Sequence, residues 1–108
     1  LRSLNGINLM PNLENLSAYN NMIESLKELE NMTSLKHLNI NSNLFFKNEG
    51  FTYLKNLTNL EELHIASNNI DSLEGLEHLV NLKVLNIQSN NISDLSPVVN
   101  LPNIEAFF

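Results

Sequence analysis

The spacing of apolar residues along the chain changes twice within every stretch of about twenty residues. In Leu63-His64-Ile65 and again in Leu85-Asn86-Ile87, apolar and polar positions alternate, which predicts a short strand with one face turned inward. The step then becomes three, through Ile70, Leu73, Leu76, Leu79 and Leu82. In an α-helix a step of three turns about 300°, so the apolar face would drift by about 60° each time. A 3₁₀ or extended segment keeps positions i and i+3 aligned. Each stretch is therefore expected to run as a strand, a sharp turn and a return path of three-residue turns, with little α-helix.

This alternation recurs with a period. Leu13, Leu16, Ala18, Asn21 and Ile23 are followed by Leu35, Leu38, Ile40, Asn43 and Phe45, by Leu60, Leu63, Ile65, Asn68 and Ile70, and by Leu82, Leu85, Ile87, Asn90 and Ile92. The opening residues Leu13, Leu35, Leu60, Leu82 and Ile104 stand 22, 25, 22 and 22 positions apart. A fixed period in that range predicts a stacked solenoid whose strands return in one direction and pair in parallel. The chain divides into a partial unit 1–12, units 13–34, 35–59, 60–81 and 82–103, and a partial unit 104–108. The second full unit is three residues longer than the others. That insertion predicts a bulge of Phe46, Lys47, Asn48, Glu49 and Gly50, either a second contact point anchored by Phe46 or, as favoured here, one in which Phe45, Phe46 and Phe51 fill the widened gap.

The asparagine beside the core in every unit demands a reason, because an unsatisfied buried amide costs about 1–3 kcal/mol. A sharp turn after each strand leaves backbone N–H and C=O groups without sheet partners, and one amide side chain satisfies both kinds. Asn21, Asn43, Asn68 and Asn90 are thus expected to form a structural ladder, each bonded to the backbone of its own unit and the next.

The motif L-x-x-L-x-L-x-x-N-x-I, four times in register, resembles the leucine-rich repeat of the short 22-residue class. That class is found in a phosphatase-regulating nuclear subunit, a small axonemal dynein light chain and the bacterial internalins. The resemblance implies an α/β solenoid, a right-handed superhelix with a concave parallel β-sheet and convex 3₁₀ or extended turns. It also implies a non-catalytic module that binds a partner protein. An intracellular member would hold a phosphatase, a motor subunit or a ribonucleoprotein component, whereas an internalin-like one would grip a host protein from a bacterial surface. "NNISDLSPVVNLPNIE" at 90–105 is especially similar to an internalin unit. An alternative role is the recognition or regulatory arm of a larger enzyme or adhesin.

Residues alternating with the buried Leu and Ile are expected on the concave face. They are Asn15, His37, Glu62 and Val84 in one column, Ser17, Asn39, His64 and Asn86 in the next, then Tyr19, Asn41 and Gln88. Most are small, neutral and polar, so the surface is expected to bind through hydrogen bonds and shape. The acidic excess falls on the outer turns, at Glu24, Glu28, Glu30, Asp71, Glu74, Glu77 and Asp94, as a solvated face.

Composition narrows the reading further. A formal charge of −6 argues against a nucleic-acid backbone as partner. With no cysteine there is neither a disulfide frame nor a thiolate site, and none of the chain's three glycines builds a phosphate-binding loop. No apolar run is long enough to cross a bilayer, and the start lacks a signal-peptide layout. The two resemblances pull apart on localisation, which is left open, with a cytoplasmic location expected over a secreted or cell-surface one. His37, Glu62 and His64 are ligand types for zinc, but an open sheet supplies no second shell, and no metal or cofactor is expected. Ser67 and Ser89 have no His with a carboxylate behind it and are expected to help the turn through their hydroxyls. Neither terminus offers a polar cap, so a piece of a longer array is expected, or else end-to-end self-association.

Overall fold

The computed structural model describes residues 3–43 and 50–108. The expected bulge at Phe46, Lys47, Asn48 and Glu49, together with the packing role given to Phe45, lies outside the described residues. Five short strands form one parallel sheet in sequence order: β1 (Asn15–Ser17), β2 (His37–Asn39), β3 (Glu62–His64), β4 (Val84–Asn86) and β5 (Ala106–Phe107). Register follows the repeat, with Leu16, Leu38, Leu63, Leu85 and Phe107 aligned across the strands. The longer unit joins the sheet in the same register as the rest, so its three extra residues are absorbed away from the strands.

Ladder hydrogen bonds continue past the strands, from Ala18 N to Asn39 O (2.8 Å), Ile40 N to His64 O (2.9 Å) and Ile65 N to Asn86 O (2.9 Å). The return path contains four 3₁₀ turns among the described residues, Ile7–Leu9, Lys27–Leu29, Leu76–His78 and Ser96–Val98. Their three-residue steps are closed by backbone bonds such as Leu76 N to Leu73 O and Leu79 N to Leu76 O. This is the local geometry that a three-residue apolar step requires, because it stacks Leu73, Leu76, Leu79 and Leu82 on one side. All four are fully buried.

The core lies between the sheet and these turns and is deepest in the middle units. Leu35, Leu60, Leu63, Ile65 and Leu76 are fully buried, whereas Leu13, Leu16, Leu101 and Ile104 at the two ends are only partly so. Phe51 takes the core position that Leu26 and Leu73 hold in neighbouring units. Gly75 lets the next unit pass close to this residue, since an added Cβ would stand 3.2 Å from Phe51 Cβ, and its φ is +103°.

The asparagine ladder is present, with one difference of direction. Asn68 Nδ2 donates to Ile65 O (3.1 Å) and Ala66 O (3.0 Å) of its own unit and to Ile40 O (2.9 Å) of the unit before, while its Oδ1 accepts from Asn43 N (2.8 Å). Asn43 and Asn90 repeat the arrangement, Asn43 reaching back to Ala18 O and Ile23 N, and Asn90 to Ile65 O, Asn68 N and Ile70 N. Each amide thus ties its unit to the preceding one rather than to the next. Asn21 donates to Ala18 O and Tyr19 O within its own turn.

The residue before each amide pays a backbone cost. Asn20, Ser42, Ser67 and Ser89 have φ of 56°, 57°, 58° and 57°. What the turn asks of these positions is a left-handed backbone, a conformation that costs about 1–2 kcal/mol for a residue with a Cβ. Small residues that tolerate it occupy the site, and this replaces the expected hydroxyl role of Ser67 and Ser89 as the reason for their presence.

Candidate functional site

The sheet face opposite the core carries the side chains that alternate with the buried leucines. Register places Asn15, His37, Glu62, Val84 and Ala106 in one row and Ser17, Asn39, His64 and Asn86 in the next. The expected residues that lie in the strands are thus aligned across the sheet, while Tyr19, Asn41 and Gln88 follow the strands and lie outside the paired register. They are exposed or half-buried, and Tyr19 presents the most exposed large side chain of the group, at 55 %.

Three of these amides also serve the backbone. Asn39 Oδ1 accepts from Asn41 N and Asn86 Oδ1 from Gln88 N, both at 3.1 Å, and Asn41 Oδ1 accepts from Ala66 N at 2.7 Å. These bonds hold the chain in its path as it leaves β2, β3 and β4, so Asn39, Asn41 and Asn86 have a structural role. An amide whose oxygen is engaged still has two N–H donors for a partner.

At the centre of the face, β2 and β3 bring His37, Glu62 and His64 together. Glu62 Oε2 lies 3.3 Å from His37 Nε2 and Oε1 lies 3.4 Å from His64 Nε2, with Glu62 and His37 each about two-fifths exposed. The second ring nitrogen of His37, Nδ1, hydrogen-bonds Asn15 Oδ1 on β1. Among the described residues no group of three His, Cys, Asp or Glu is arranged to hold a metal ion.

Three features outside this face were missed at the level of sequence. The first is a second amide ladder along the edge where each return path enters a strand. Asn59 Nδ2 donates to Thr33 O (2.8 Å), Asn81 Nδ2 to Thr58 O (2.7 Å) and Asn103 Nδ2 to Val80 O (3.1 Å), while Ser34 Oγ does the same for Pro11 O (2.8 Å). Its signal was the asparagine or serine that precedes each opening Leu or Ile. The second is a row of alternating charge, Glu14, Lys36, Glu61, Lys83 and Glu105, one position before each strand. Lys36 Nζ lies 3.7 Å from Glu14 Oε1, and Lys83 Nζ 3.7 Å from Glu61 Oε1.

The third concerns the outer turns, where several polar side chains are turn-formers rather than free solvated groups. Ser25 Oγ accepts from Lys27 N, Ser72 Oγ from Glu74 N and Asp94 Oδ1 from Ser96 N. The Ser96 backbone N–H, and then its hydroxyl, hold the Asp94 carboxyl below the ordinary aspartate value. Glu77 is likewise lowered, first by its own backbone N–H and then by that of Gly75, which donates to Glu77 Oε2 at 2.8 Å. The outer side also has a shallow groove lined by Glu74, Val80, Pro97 and Leu101, remote from the sheet face.

Comparison with known proteins agrees with this architecture. A family model described as leucine rich repeats, in two copies, matches residues 11–56, and a second leucine rich repeat model matches residues 56–77 and 78–95. No curated protein sequence matches the chain. Among solved structures, internalin C2 of Listeria monocytogenes is similar at 31 % identity and a TM-score of 0.88, covering 94 % of this chain and 44 % of its own. A second internalin of that organism, inlF, is similar at 25 % identity and a TM-score of 0.72, covering 94 % of this chain and 36 % of its own. A leucine-rich repeat protein of Leptospira interrogans is 30 % identical with a TM-score of 0.85, covering 94 % of this chain and 26 % of its own. The chain thus spans less than half the length of each of these three structures.

Proposed function

The chain belongs to the leucine-rich repeat family, and from that premise we propose that it is a non-catalytic module whose concave sheet docks a partner protein. The observation that carries this reading is the division of labour in each unit. Buried leucines and the inner amide ladder fix the scaffold, while the alternate side chains of five strands share one face at fixed spacing. A rigid sheet that offers small polar groups beside Tyr19, His64 and Val84 suits recognition by hydrogen bonds and shape, with the aromatic as an anchor. The similarity to two internalins supports the bacterial-surface class of partner over the intracellular one.

The test is affinity capture from the native source with wild type, a Tyr19→Ala/His64→Ala double variant, and a convex control carrying Glu28→Ala and Glu74→Ala. Loss of capture in the concave variant alone supports the reading. Equal capture by wild type and the concave variant refutes it.

A further inference from the structure

The three titratable groups at the centre of the concave face are mismatched as hydrogen-bonding partners. Asn15 Oδ1 is an acceptor, so the His37 Nδ1 bonded to it supplies the hydrogen. A neutral imidazole carries one N–H, which leaves an unprotonated Nε2 facing Glu62 Oε2 across 3.3 Å. Two acceptors then confront each other. The other oxygen, Oε1, is 3.4 Å from His64 Nε2, longer than the ~2.7–2.9 Å of a charge-assisted bond. Both Glu62 oxygens therefore have room for a donor from outside.

No lysine or arginine lies in the strand positions of this face, and Glu62 is the one carboxylate there. Around it stand Asn39 and His37 on β2, His64 on its own strand, and Val84 and Asn86 on β4. The nearest cations, Lys36 and Lys83, are turned to Glu14 and Glu61 in the charged row before the strands. With a formal charge of −6 on the chain, long-range attraction draws a basic partner toward it.

Resting on the docking function proposed above, we propose that Glu62 is the receptor for an arginine side chain of the partner, and that protonation of His37 and His64 releases it. A planar guanidinium supplies paired N–H donors to both carboxylate oxygens and stacks on flat rings such as imidazole. A proton on His37 Nε2 fills the same gap, and two imidazoliums reverse the charge of the site from −1 to +1. Proton and arginine thus compete for one place.

The test uses a fluorescein-labelled peptide of four Gly-Ser-Arg repeats beside the same peptide with citrulline, the neutral isostere, at every arginine. Anisotropy at pH 7.5 should show tighter binding of the arginine peptide, weakened by about tenfold or more at pH 5.5. Glu62→Gln should remove the preference for arginine over citrulline, and Glu74→Gln on the outer turns should keep it. A His37→Gln/His64→Gln double variant should bind more weakly at pH 7.5, having lost the rings on which the guanidinium stacks, and its remaining affinity should be the same at pH 5.5. Equal binding of the two peptides by wild type, an unaltered preference in Glu62→Gln, or a full pH effect in the double histidine variant would each overturn the proposal.

Amide chemical-shift mapping of the wild-type protein separates this outcome from the broader one and does not depend on any variant folding. Shifts on β2–β4 without discrimination between the peptides sink the arginine site and leave concave docking standing. Shifts confined to the outer turns remove the docking surface itself.

Discussion

Replacing Asn68 by leucine isolates the energetic role of the inner amide ladder, because the two side chains are similar in size and only the polar contacts are lost. Asn68 is 1 % exposed, so water does not reach the groups it leaves behind. The three carbonyls it serves keep other donors. Ile40 O retains Asn43 Nδ2 at 3.1 Å, Ile65 O retains Asn90 Nδ2 at 3.0 Å, and Ala66 O retains Ser42 N at 2.8 Å. Asn43 N has a single hydrogen, given at 2.8 Å to Asn68 Oδ1, and is stranded. That orphaned donor costs about 1–3 kcal/mol, and the three half-satisfied carbonyls add roughly 0.5 kcal/mol each.

The expected loss is therefore about 3–4 kcal/mol, a large share of the ~5–15 kcal/mol that holds a domain of this size together. In urea, followed by far-ultraviolet circular dichroism, the midpoint should fall by about 1–2 M with the slope preserved. Asn81→Leu is the comparison, since that amide makes its bond to Thr58 O on the surface and its loss is covered by water. It should cost under about 1 kcal/mol. If Asn68→Leu costs no more than Asn81→Leu, the ladder is not what holds the turns.

Four further outcomes follow from the same contacts. Asn68→Asp should be at least as damaging as Asn68→Leu, because an ionised carboxylate cannot donate and would face three carbonyls at 2.9–3.1 Å; thermal melting at pH 7 reads this directly. Gly75→Ala should lower stability by about 1–2 kcal/mol, from its positive φ and from the close approach to Phe51 Cβ; because leucine keeps that Cβ, a double-mutant cycle with Phe51→Leu should show no recovery of the loss. Leu63→Ala, in the middle of the core, should cost about 2–5 kcal/mol and Leu101→Ala, half-buried near one end, distinctly less, when both are compared by urea unfolding. The folded-state values of Asp94 and Glu77 are depressed, so their contribution is present above the unfolded carboxylate range and is lost as pH falls through the lower folded values; carboxyl resonances followed by pH titration should place Asp94 below an ordinary aspartate, and Ser96→Pro should abolish the difference.

Most of the scaffold was legible because each of its rules repeats. Leu38, Leu63 and Leu85 announce strands by alternation, the steps from Ile70 to Leu82 announce three-residue turns, and the recurring motif, counted across the longer 25-residue unit, aligns His37 with Glu62 without any structure. What stayed hidden were matters of direction and of double duty. A spacing cannot tell whether Asn68 reaches forward or back, because both neighbours offer the same backbone groups. Nor does it separate Asn39, Asn41 and Asn86 from free recognition residues, since their Oδ1 bonds depend on how the chain bends after the strand. Ser67 looked like a hydroxyl donor when its site asks for a left-handed backbone. Asp94 looked like solvating charge when it closes a turn onto Ser96.

These double roles bear on where recognition resides. A side chain whose oxygen restrains the backbone cannot be varied freely to suit a partner, because its loss also loosens the turn. Asn39, Asn41 and Asn86 are constrained in this way, and so are the residues of both amide ladders. Tyr19, His37, Glu62, His64, Val84 and Gln88 lie among them on the same face, at positions the repeat leaves open to different residue types: the row of His37 holds Asn, His, Glu, Val and Ala in successive strands. Chemical variety at a geometrically fixed position is what a recognition surface requires, since specificity depends on differences between sites that the scaffold treats alike. On the docking role proposed above, the charged and aromatic members of that set, Glu62 with its two imidazoles and Tyr19, are the places where exchanging one side chain should change the partner and leave the solenoid intact.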